Sequence, residues 1–167
     1  MDKRDLEQLL SDVAGGAVAP ADALTRIQTA PTVDLGFAQL DLSRGVRQGA
    51  GEVVYGAGKN AKQIAAIIEA LHDAGQERIL VTRLDAEKAD RTSELLDNGI
   101  DLGYVPDAQL ALVGGKPSPT GNGRIVVACA GTSDLPVAEE AALTAEFYGN
   151  EVDRLYDCLL YTSDAAD

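Results

Sequence analysis

Cysteine and histidine, which often hold metals or act as nucleophile and base, are scarce in this sequence. The 167 residues include two cysteines and one histidine. Two cysteines provide no disulfide framework, and without a Cys/His cluster or an aspartate-rich loop the sequence predicts neither a zinc nor a calcium site. The single histidine, His72, falls near the end of a predicted helix, where the helix dipole favours it. We therefore expect no histidine-based triad.

Basic residues and long apolar runs are also in short supply. Lys and Arg number 14 against 27 Asp and Glu, which gives a formal net charge of −13. This charge argues against nucleic acid and anionic membranes as partners, because no Lys/Arg face can form. No stretch approaches the ~20 apolar residues of a membrane helix, and the first residues lack the apolar core of a signal peptide. We expect a cytoplasmic protein.

The most informative segment runs from residue 123 to residue 149 and predicts a strand, a turn and a helix. Ile125-Val-Val-Ala-Cys129 is a continuous apolar run, typical of a parallel strand buried on both faces. Pro136 suits the first turn of a helix, where its missing N–H costs nothing, and Gly149 suits the position after the helix end. In this interpretation Cys129 is a small buried hydrophobe rather than a nucleophile.

The turn between this strand and helix is the main candidate binding site. Amide groups at a helix N-terminus and the positive end of the helix dipole attract phosphate or carboxylate. Gly131 allows close approach of a ligand, Thr132 and Ser133 offer hydroxyl donors, and Asp134 suits sugar hydroxyls. The alternative is that these residues are ordinary N-caps, since most strand-to-helix turns bind nothing.

The rest of the chain alternates between predicted helices and strands. Periodic apolar residues predict helices over 3–14, from Pro20, from Asn60 to about Gly75 and over 86–97. Short apolar runs predict extended segments at 35–42, 52–55, 79–82 and 100–113. The last of these is either two short strands or one strand with a break at Pro106. This alternation predicts parallel βαβ units and an α/β fold.

The same pattern suggests a division of the chain into domains. We predict a helical segment over 1–30, an N-terminal α/β domain over 31–113, a linker over 114–122 and a second α/β domain that begins at 123. The linker prediction rests on Gly114-Gly-Lys-Pro-Ser-Pro-Thr-Gly-Asn-Gly123, which is dense in turn formers and has no apolar residue to pack.

A second, weaker binding signal lies in the N-terminal domain. Gly56-Ala-Gly-Lys59 at a strand-to-helix junction lacks the spacing and the Ser/Thr of a P-loop, but its glycines and Lys59 could hold a phosphate of a dinucleotide. Arg44, Arg47 and Arg83 lie at predicted turns or strand ends and could grip an anion with two hydrogen bonds. The alternative for each is a solvated surface side chain.

Three blocks in the same order give the sequence a family resemblance. Glu52-Val-Val-Tyr-Gly-Ala-Gly-Lys59, Val81-Thr-Arg83 and Ala130-Gly-Thr-Ser-Asp-Leu-Pro-Val-Ala-Glu-Glu-Ala141 resemble the LarB family of nickel-pincer cofactor biosynthesis proteins. The resemblance extends from about residue 35 to Asp157. It implies that residues 123–157 begin a PurE-like domain, a flavodoxin/Rossmann-like three-layer fold with a parallel sheet, as in aminoimidazole ribonucleotide carboxylases.

The resemblance also implies an activity. Family members carboxylate the pyridinium ring of nicotinic acid adenine dinucleotide and hydrolyse its phosphoanhydride, which gives AMP and pyridinium-3,5-dicarboxylate mononucleotide. The implied substrates are the dinucleotide and CO2, and the implied assembly is a homo-oligomer. The family's cysteine nucleophile belongs to a motif that this sequence does not contain, so no catalytic residue is assigned. Whether Mg²⁺ binds the substrate phosphates stays open.

The last ten residues, Cys158-Leu-Leu-Tyr-Thr-Ser-Asp-Ala-Ala-Asp167, do not continue the family pattern and resemble a translated sequencing adapter. We therefore expect an inactive, C-terminally truncated chain whose second domain is incomplete, because one βα unit cannot bury its sheet edges or its helix face. Two alternative functions remain: a non-catalytic nucleotide-binding module and a PurE-type carboxylase acting on aminoimidazole ribonucleotide.

Overall fold

The computed structural model describes residues 3–28, 32–41, 52–97 and 99–157. Within these ranges the helices are α1 (Lys3–Ala14), α2 (Pro20–Gln28), α3 (Ala61–Asp73), α4 (Ala86–Leu95) and α5 (Leu135–Phe147). The strands are β1 (Thr32–Asp34), β2 (Gln39–Asp41), β3 (Val53–Tyr55), β4 (Ile79–Thr82), β5 (Leu102–Val105), β6 (Leu110–Val113), β7 (Arg124–Ala128) and β8 (Glu151–Leu155). The predicted α/β fold class is confirmed.

The largest sheet has the strand order β3-β4-β6-β5 and is only partly parallel. β3 and β4 are parallel, and α3 lies between them in the sequence, as predicted. In contrast, β6 runs antiparallel to both β4 and β5. The prediction of parallel units throughout was therefore wrong for β5 and β6. A single 3₁₀ turn, Pro106–Ala108, followed by Gln109 in the left-handed region, joins these two strands. So short a connection can make a hairpin but not a parallel crossover.

Helix α3 shows how local sequence fixes an element of this sheet. The Asn60 side chain accepts from the Gln63 amide at 3.0 Å, and the Gln63 side chain accepts from the Asn60 amide at 3.0 Å, so both ends of a capping box are made. Gly75, at φ 84°, ends the helix as predicted. The apolar face consists of Ile64, Ala65, Ile67, Ile68 and Leu71, all buried.

The two faces of the sheet are covered by different parts of the chain. Side chains of α3 and α4 pack on one face with Ile79 and Val81 of β4. The opposite face carries Leu80, Leu110 and Leu112, which pack against residues of α5, namely Leu143 and Phe147. The helix face of the second βα unit is thus buried, and the expectation that it would stay open was wrong.

Strands β7 and β8 form a separate parallel pair in which Ile125 lies opposite Val152. The predicted strand and its parallel pairing are confirmed, but its burial on both faces was wrong. Ile125 is 40% exposed and Val126 is 57% exposed. The physical reason is that β7 has one neighbouring strand in the described part of the chain, and α5 covers only one of its faces.

The predicted linker contacts the end of α5. The amides of Thr120 and Gly121 donate to the carbonyl of Gly149 at 2.8 and 3.0 Å, and the Lys116 amine pairs with Glu146 at 2.8 Å. Gly149, at φ 79°, ends α5 as predicted, and a Cβ at this position would lie 2.9 Å from the Thr120 hydroxyl. The segment between β6 and β7 is therefore held against the helix.

One segment predicted to be extended is a turn in the structure, and other predicted residues lie outside the described ranges. Residues 35–38 were expected to be extended but form a turn between β1 and β2, in which the Leu35 amide donates to the Ala38 carbonyl at 2.9 Å. Gly36 takes φ 79°, which favours this turn. Arg44, Arg47 and residues 158–167 lie outside the described residues. The division into domains remains a prediction.

Candidate functional site

The predicted binding turn lies between β7 and α5. Gly131 has an extended backbone, Thr132–Asp134 form one 3₁₀ turn, and α5 begins at Leu135 with Pro136 in its first turn. The Asp134 amide donates to the Gly131 carbonyl at 3.0 Å, which closes the turn. Amides in the first turn of a helix have no preceding helical carbonyl to accept them, so those of Thr132 and Ser133 are available to a ligand.

The side chains of this turn face solvent. Thr132, Ser133 and Asp134 are all exposed, and Gly131 is half-buried. No side-chain hydrogen bond caps the start of the 3₁₀ turn at Gly131 or the start of α5 at Asp134. Within the ranges that the structure describes, the two hydroxyls and the carboxylate make no hydrogen bond or ion pair with other protein groups. The donors of the turn are thus not consumed by the fold.

Two cavities flank the turn. The first, of about 560 Å³, lies between the end of β7 and α5. Of the described residues that line it, Asp134 is the charged one, and the apolar ones are Val127, Ala128, Cys129, Ala130, Val137, Ala138 and Ala141. The second, of about 570 Å³, lies between the Pro106–Gln109 turn and the start of α5, and it includes Thr132. The candidate turn therefore contributes one residue to each cavity.

Arg83 is brought to α5 but not directly to the turn. Its Nε lies 2.7 Å from Oε2 of Glu140, an ion pair that joins the large sheet to the helix. Arg83 has φ 55°, an unusual conformation for a residue with a side chain. It follows directly on β4, where a Cβ on Gly56 would lie only 3.0 Å from the Thr82 carbonyl. The close approach of the two loops thus favours glycine at position 56.

Lys59 is engaged within its own loop. Its Nζ donates to the Tyr55 carbonyl at 2.9 Å, and its amide donates to the Gly56 carbonyl at 3.1 Å. No hydrogen bond or ion pair among the described residues joins Lys59 to the turn at 131–134. The predicted set of site residues is therefore divided between the 131–134 turn, the Arg83 contact on α5 and a separate loop at Lys59.

A network of charges beside the second cavity escaped sequence reasoning. Arg154 of β8 donates from Nε and Nη2 to the Glu139 carboxylate at 2.9 and 3.0 Å, and its Nη1 pairs with Glu146. The Tyr156 hydroxyl donates at 2.6 Å to Oε2 of Glu139, the oxygen that also accepts from Arg154 Nε. Glu139 and Glu146 are seven residues apart on one face of α5, a spacing that could have indicated a shared cation.

The network shifts the pKa values of its members. Burial opposes ionisation of Glu139, but hydrogen bonds from Arg154 and Tyr156 outweigh it and hold the pKa of this carboxyl below its usual range. The hydrogen bond from Arg154 likewise lowers the pKa of Glu146. Burial, together with the bond to Glu139, raises the pKa of Tyr156 to about 12. At neutral pH the cluster thus holds two carboxylates, one guanidinium and a neutral phenol.

Other candidates for chemistry are few. Cys129 is half-buried, and its amide donates to the Leu155 carbonyl at 3.1 Å. His72 lies in the last turn of α3, where it was predicted. Over residues 3–28, 32–41, 52–97 and 99–157, no group of His, Cys, Asp and Glu has the arrangement of a metal site. In these same ranges no helix combines the length and apolar character that crossing a bilayer requires.

Comparison with known proteins now defines the class of protein. A model of the LarB/PurE-like N-terminal domain matches residues 32–114, which contain the four-stranded sheet and its two helices. Residues 32–114 are therefore similar to the N-terminal domain of the LarB family, an enzymatic family related to carboxylases. The resemblance is confirmed over these residues, which contain the first two of the three sequence blocks.

A curated relative supports a wider match. An uncharacterized protein of Methanocaldococcus jannaschii is 32% identical over 121 residues, which make up 71% of this chain and 47% of that protein. The chain therefore spans about half the length of the curated relative that it matches. The name of that relative states no activity.

Proposed function

We propose that the turn Gly131–Asp134 binds the phosphate and ribose of nicotinic acid adenine dinucleotide, in a protein that carboxylates the pyridinium ring of this dinucleotide. The observation that supports this proposal is the set of unpartnered donors at the start of α5. Two hydroxyls, the Asp134 carboxylate and the first amides of the helix are exposed together between two cavities. The similarity of residues 32–114 to the LarB N-terminal domain favours a nucleotide as the ligand.

The chemistry of the turn assigns a role to each group. Phosphate oxygens would accept from the amides and hydroxyls of Thr132 and Ser133, while the dipole of α5 favours the negative charge. The Asp134 carboxylate would accept from ribose hydroxyls, since a carboxylate cannot donate to phosphate at neutral pH. Arg83 is held by Glu140. The phosphate is therefore bound mainly by neutral donors.

The proposed overall reaction consumes the dinucleotide, CO2 and one water. A C–C bond forms at the pyridinium ring with loss of a ring proton, and water cleaves the phosphoanhydride to release AMP. A pyridinium carbon is electron-poor, so a nucleophile must first add to the ring and later leave. We assign that role to no residue of this chain. The contribution of these residues is to bind and orient the nucleotide.

Binding is tested by titrating AMP and nicotinic acid adenine dinucleotide into the isotopically labelled chain and following amide shifts by NMR. We expect both ligands to shift the amides of residues 131–136. Asp134→Ala should weaken binding by about tenfold or more, because a hydrogen bond to a charged group is worth about 1.5–3 kcal/mol. Asp90→Ala, which removes an exposed carboxylate on α4, is the matched control and should leave binding unchanged.

The reaction itself requires a second measurement. The longest protein that contains this chain is incubated with the dinucleotide and labelled bicarbonate, and the product is analysed for label and for AMP. Label in the pyridinium ring together with AMP release supports carboxylation. Binding of AMP to the turn without either product would support a nucleotide-binding role and overturn the proposed reaction.

A further inference from the structure

We propose that the cavity between the Pro106–Gln109 turn and α5 receives the pyridinium nucleoside end of the ligand, with Asp107 selecting its positive ring charge. This inference rests on the proposed function, because it takes the 131–134 turn as the phosphate site. It adds that the N-terminal sheet domain, through the turn between β5 and β6, supplies part of the ligand site.

The cavity has the size and the walls of a small-molecule site. Its volume of about 570 Å³ lies inside the ~300–1,000 Å³ range typical of ligand pockets. Pro106, Leu135 and Pro136 provide apolar surface against which a flat ring can pack, and polar side chains from both parts of the chain surround it. The site therefore exists only because α5 packs on the large sheet.

The polar lining divides into fixed groups and free groups. Glu139 accepts from both Arg154 and Tyr156, so the polar atoms of Glu139 and Tyr156 are already engaged. The Asp107 carboxylate, the Gln109 amide and the Thr132 hydroxyl make no hydrogen bond within the part of the chain that the structure describes. Three unpartnered side chains thus face one cavity.

The position of Gln109 is fixed by its backbone. Its φ of 46° places it in the left-handed region, and its carbonyl accepts from the Leu84 amide at 2.8 Å. The Leu84 carbonyl in turn accepts from the Tyr104 hydroxyl at 2.9 Å. These bonds hold the backbone of the Pro106–Gln109 turn at one place on the sheet, so the backbone needs no further ordering when a ligand binds.

The charges of the cavity favour a cation over a phosphate. Among the lining residues that the structure describes there is no lysine or arginine, and the nearby Arg154 is held by two carboxylates. The negative charge of Glu139 is offset by Arg154, which leaves Asp107 as the uncompensated charge among the lining groups. A pyridinium ring carries a positive charge, whereas phosphate oxygens would be repelled here.

Thr132 joins this cavity to the phosphate turn. It is the first residue of the 3₁₀ turn that carries the phosphate donors, and it also lines the cavity. One mononucleotide can therefore place its phosphate on the amides of the turn and its ring beside Asp107. Gln109 then offers an amide to the ring substituent, which is a carboxylate or carboxamide in pyridine nucleotides.

The test uses two probes that differ by the charge of the ring. Nicotinamide mononucleotide has a pyridinium ring, and its reduced dihydro form has a neutral ring of the same shape; AMP serves as a third ligand. Each is titrated into the full chain by NMR. We expect the oxidised probe to bind about fivefold to tenfold more tightly than the reduced one, as two opposite charges near a protein surface would give.

Two substitutions then test which residues of the cavity bind the ring. Asp107→Asn should bring the two affinities to within about twofold of each other while leaving the affinity for the reduced probe unchanged. Gln109→Gly should weaken both probes, since it removes the amide while glycine keeps the left-handed backbone without strain. Asp101→Asn, a carboxylate that lines a different cavity, is the matched control and should leave the ratio as it is in the unaltered chain.

The possible results separate this inference from the proposed function. If the three ligands bind but the ratio is the same in the unaltered chain and in Asp107→Asn, the inference is overturned and the phosphate site stands. If no ligand shifts the amides of residues 131–136, both fail. A preference for the charged ring that Asp107→Asn abolishes supports the placement, and a chemical-shift change at residues 106–109 on addition of the oxidised probe adds to it.

Discussion

Strands β6 and β7 look alike in sequence but differ in their surroundings. Leu110–Val113 and Arg124–Ala128 are both short and rich in aliphatic residues. All four residues of β6 are buried, whereas Val126 of β7 is 57% exposed. The difference comes from their neighbours: β6 lies between two strands with helices on both faces, whereas β8 is the one partner of β7 in the described part of the chain. An apolar run therefore indicates that a strand can be buried, and the number of neighbours decides whether it is.

The largest test of this comparison is truncation of one apolar side chain in each region. Leu80→Ala, at a fully buried position between the sheet and α5, should lower the free energy of unfolding by about 2–5 kcal/mol. Val126→Ala should lower it by about 0.5 kcal/mol or less, because most of that side chain already faces water. Urea denaturation followed by circular dichroism gives both values. An equal cost for the two would mean that the outer face of β7 is covered in solution.

The junction between the regions offers the next test, with two adjacent glycines in the same conformation. Gly114 has φ 73°, and a Cβ there would lie 2.2 Å from the Glu77 carbonyl oxygen; Gly115 has φ 65° and open space. Gly115→Ala should cost about 1–2 kcal/mol for the left-handed backbone alone. Gly114→Ala adds a clash with main chain and should cost about 2–4 kcal/mol. Equal losses in urea denaturation would show that the end of β6 can shift away from residue 77.

The smallest expected effect concerns the charges that hold β8. Arg154→Met leaves Glu139 and Glu146 without their shared partner and should cost about 1–3 kcal/mol at neutral pH. Arg124→Met removes exposed ion pairs to Glu151 and Asp153 and should cost less than about 1 kcal/mol. Comparable losses in the two variants would show that the half-buried network contributes no more than a surface pair.

The same network predicts a pH dependence. The folded pKa values of Glu139 and Glu146 lie below the ordinary 4.5, so the unfolded chain binds more protons and the network stabilises the fold above pH 4.5. This contribution is lost as the pH falls through the folded values. For Tyr156 the pKa rises from 10.0 to about 12, so its contribution is present below pH 10 and is lost between pH 10 and about 12. Urea denaturation at a series of pH values should show both losses of unfolding free energy, the one at acid pH and the one at alkaline pH. Arg154→Met should remove most of the loss at acid pH.

Local signals predicted the elements well. The start of α3 near Asn60, the place of Pro136 in the first turn of α5 and the helix ends at Gly75 and Gly149 were all predicted from local sequence, because helix ends depend on the backbone within one turn. The parallel pairing of β3 and β4 followed from the helix between them. These features need no knowledge of distant contacts.

Only part of the candidate site could be predicted from local sequence. The turn at 131–134 could be predicted because its residues are consecutive. The contribution of Asp107 and Gln109 could not, since it depends on α5 crossing the far face of the sheet, a contact set by Leu143 and Phe147 with Leu80, Leu110 and Leu112. The antiparallel direction of β6 was missed for a related reason: the break at Pro106 was visible in the sequence, but the geometry of the tight turn was not.

The carbonyl of Gly149, which accepts two amides from the segment at 120–121, has a consequence for the chain's tolerance of deletions. A glycine- and proline-rich stretch would ordinarily accept changes in length, because changing the length of a free loop costs little entropy. Here the stretch is fastened at Thr120, Gly121 and Lys116, so a deletion between Lys116 and Thr120 would pull either the amides or the amine from its acceptor. The spacing of this stretch is thus a fixed dimension of the protein, and amide hydrogen exchange at Thr120 and Gly121 should be slow for residues in so polar a segment.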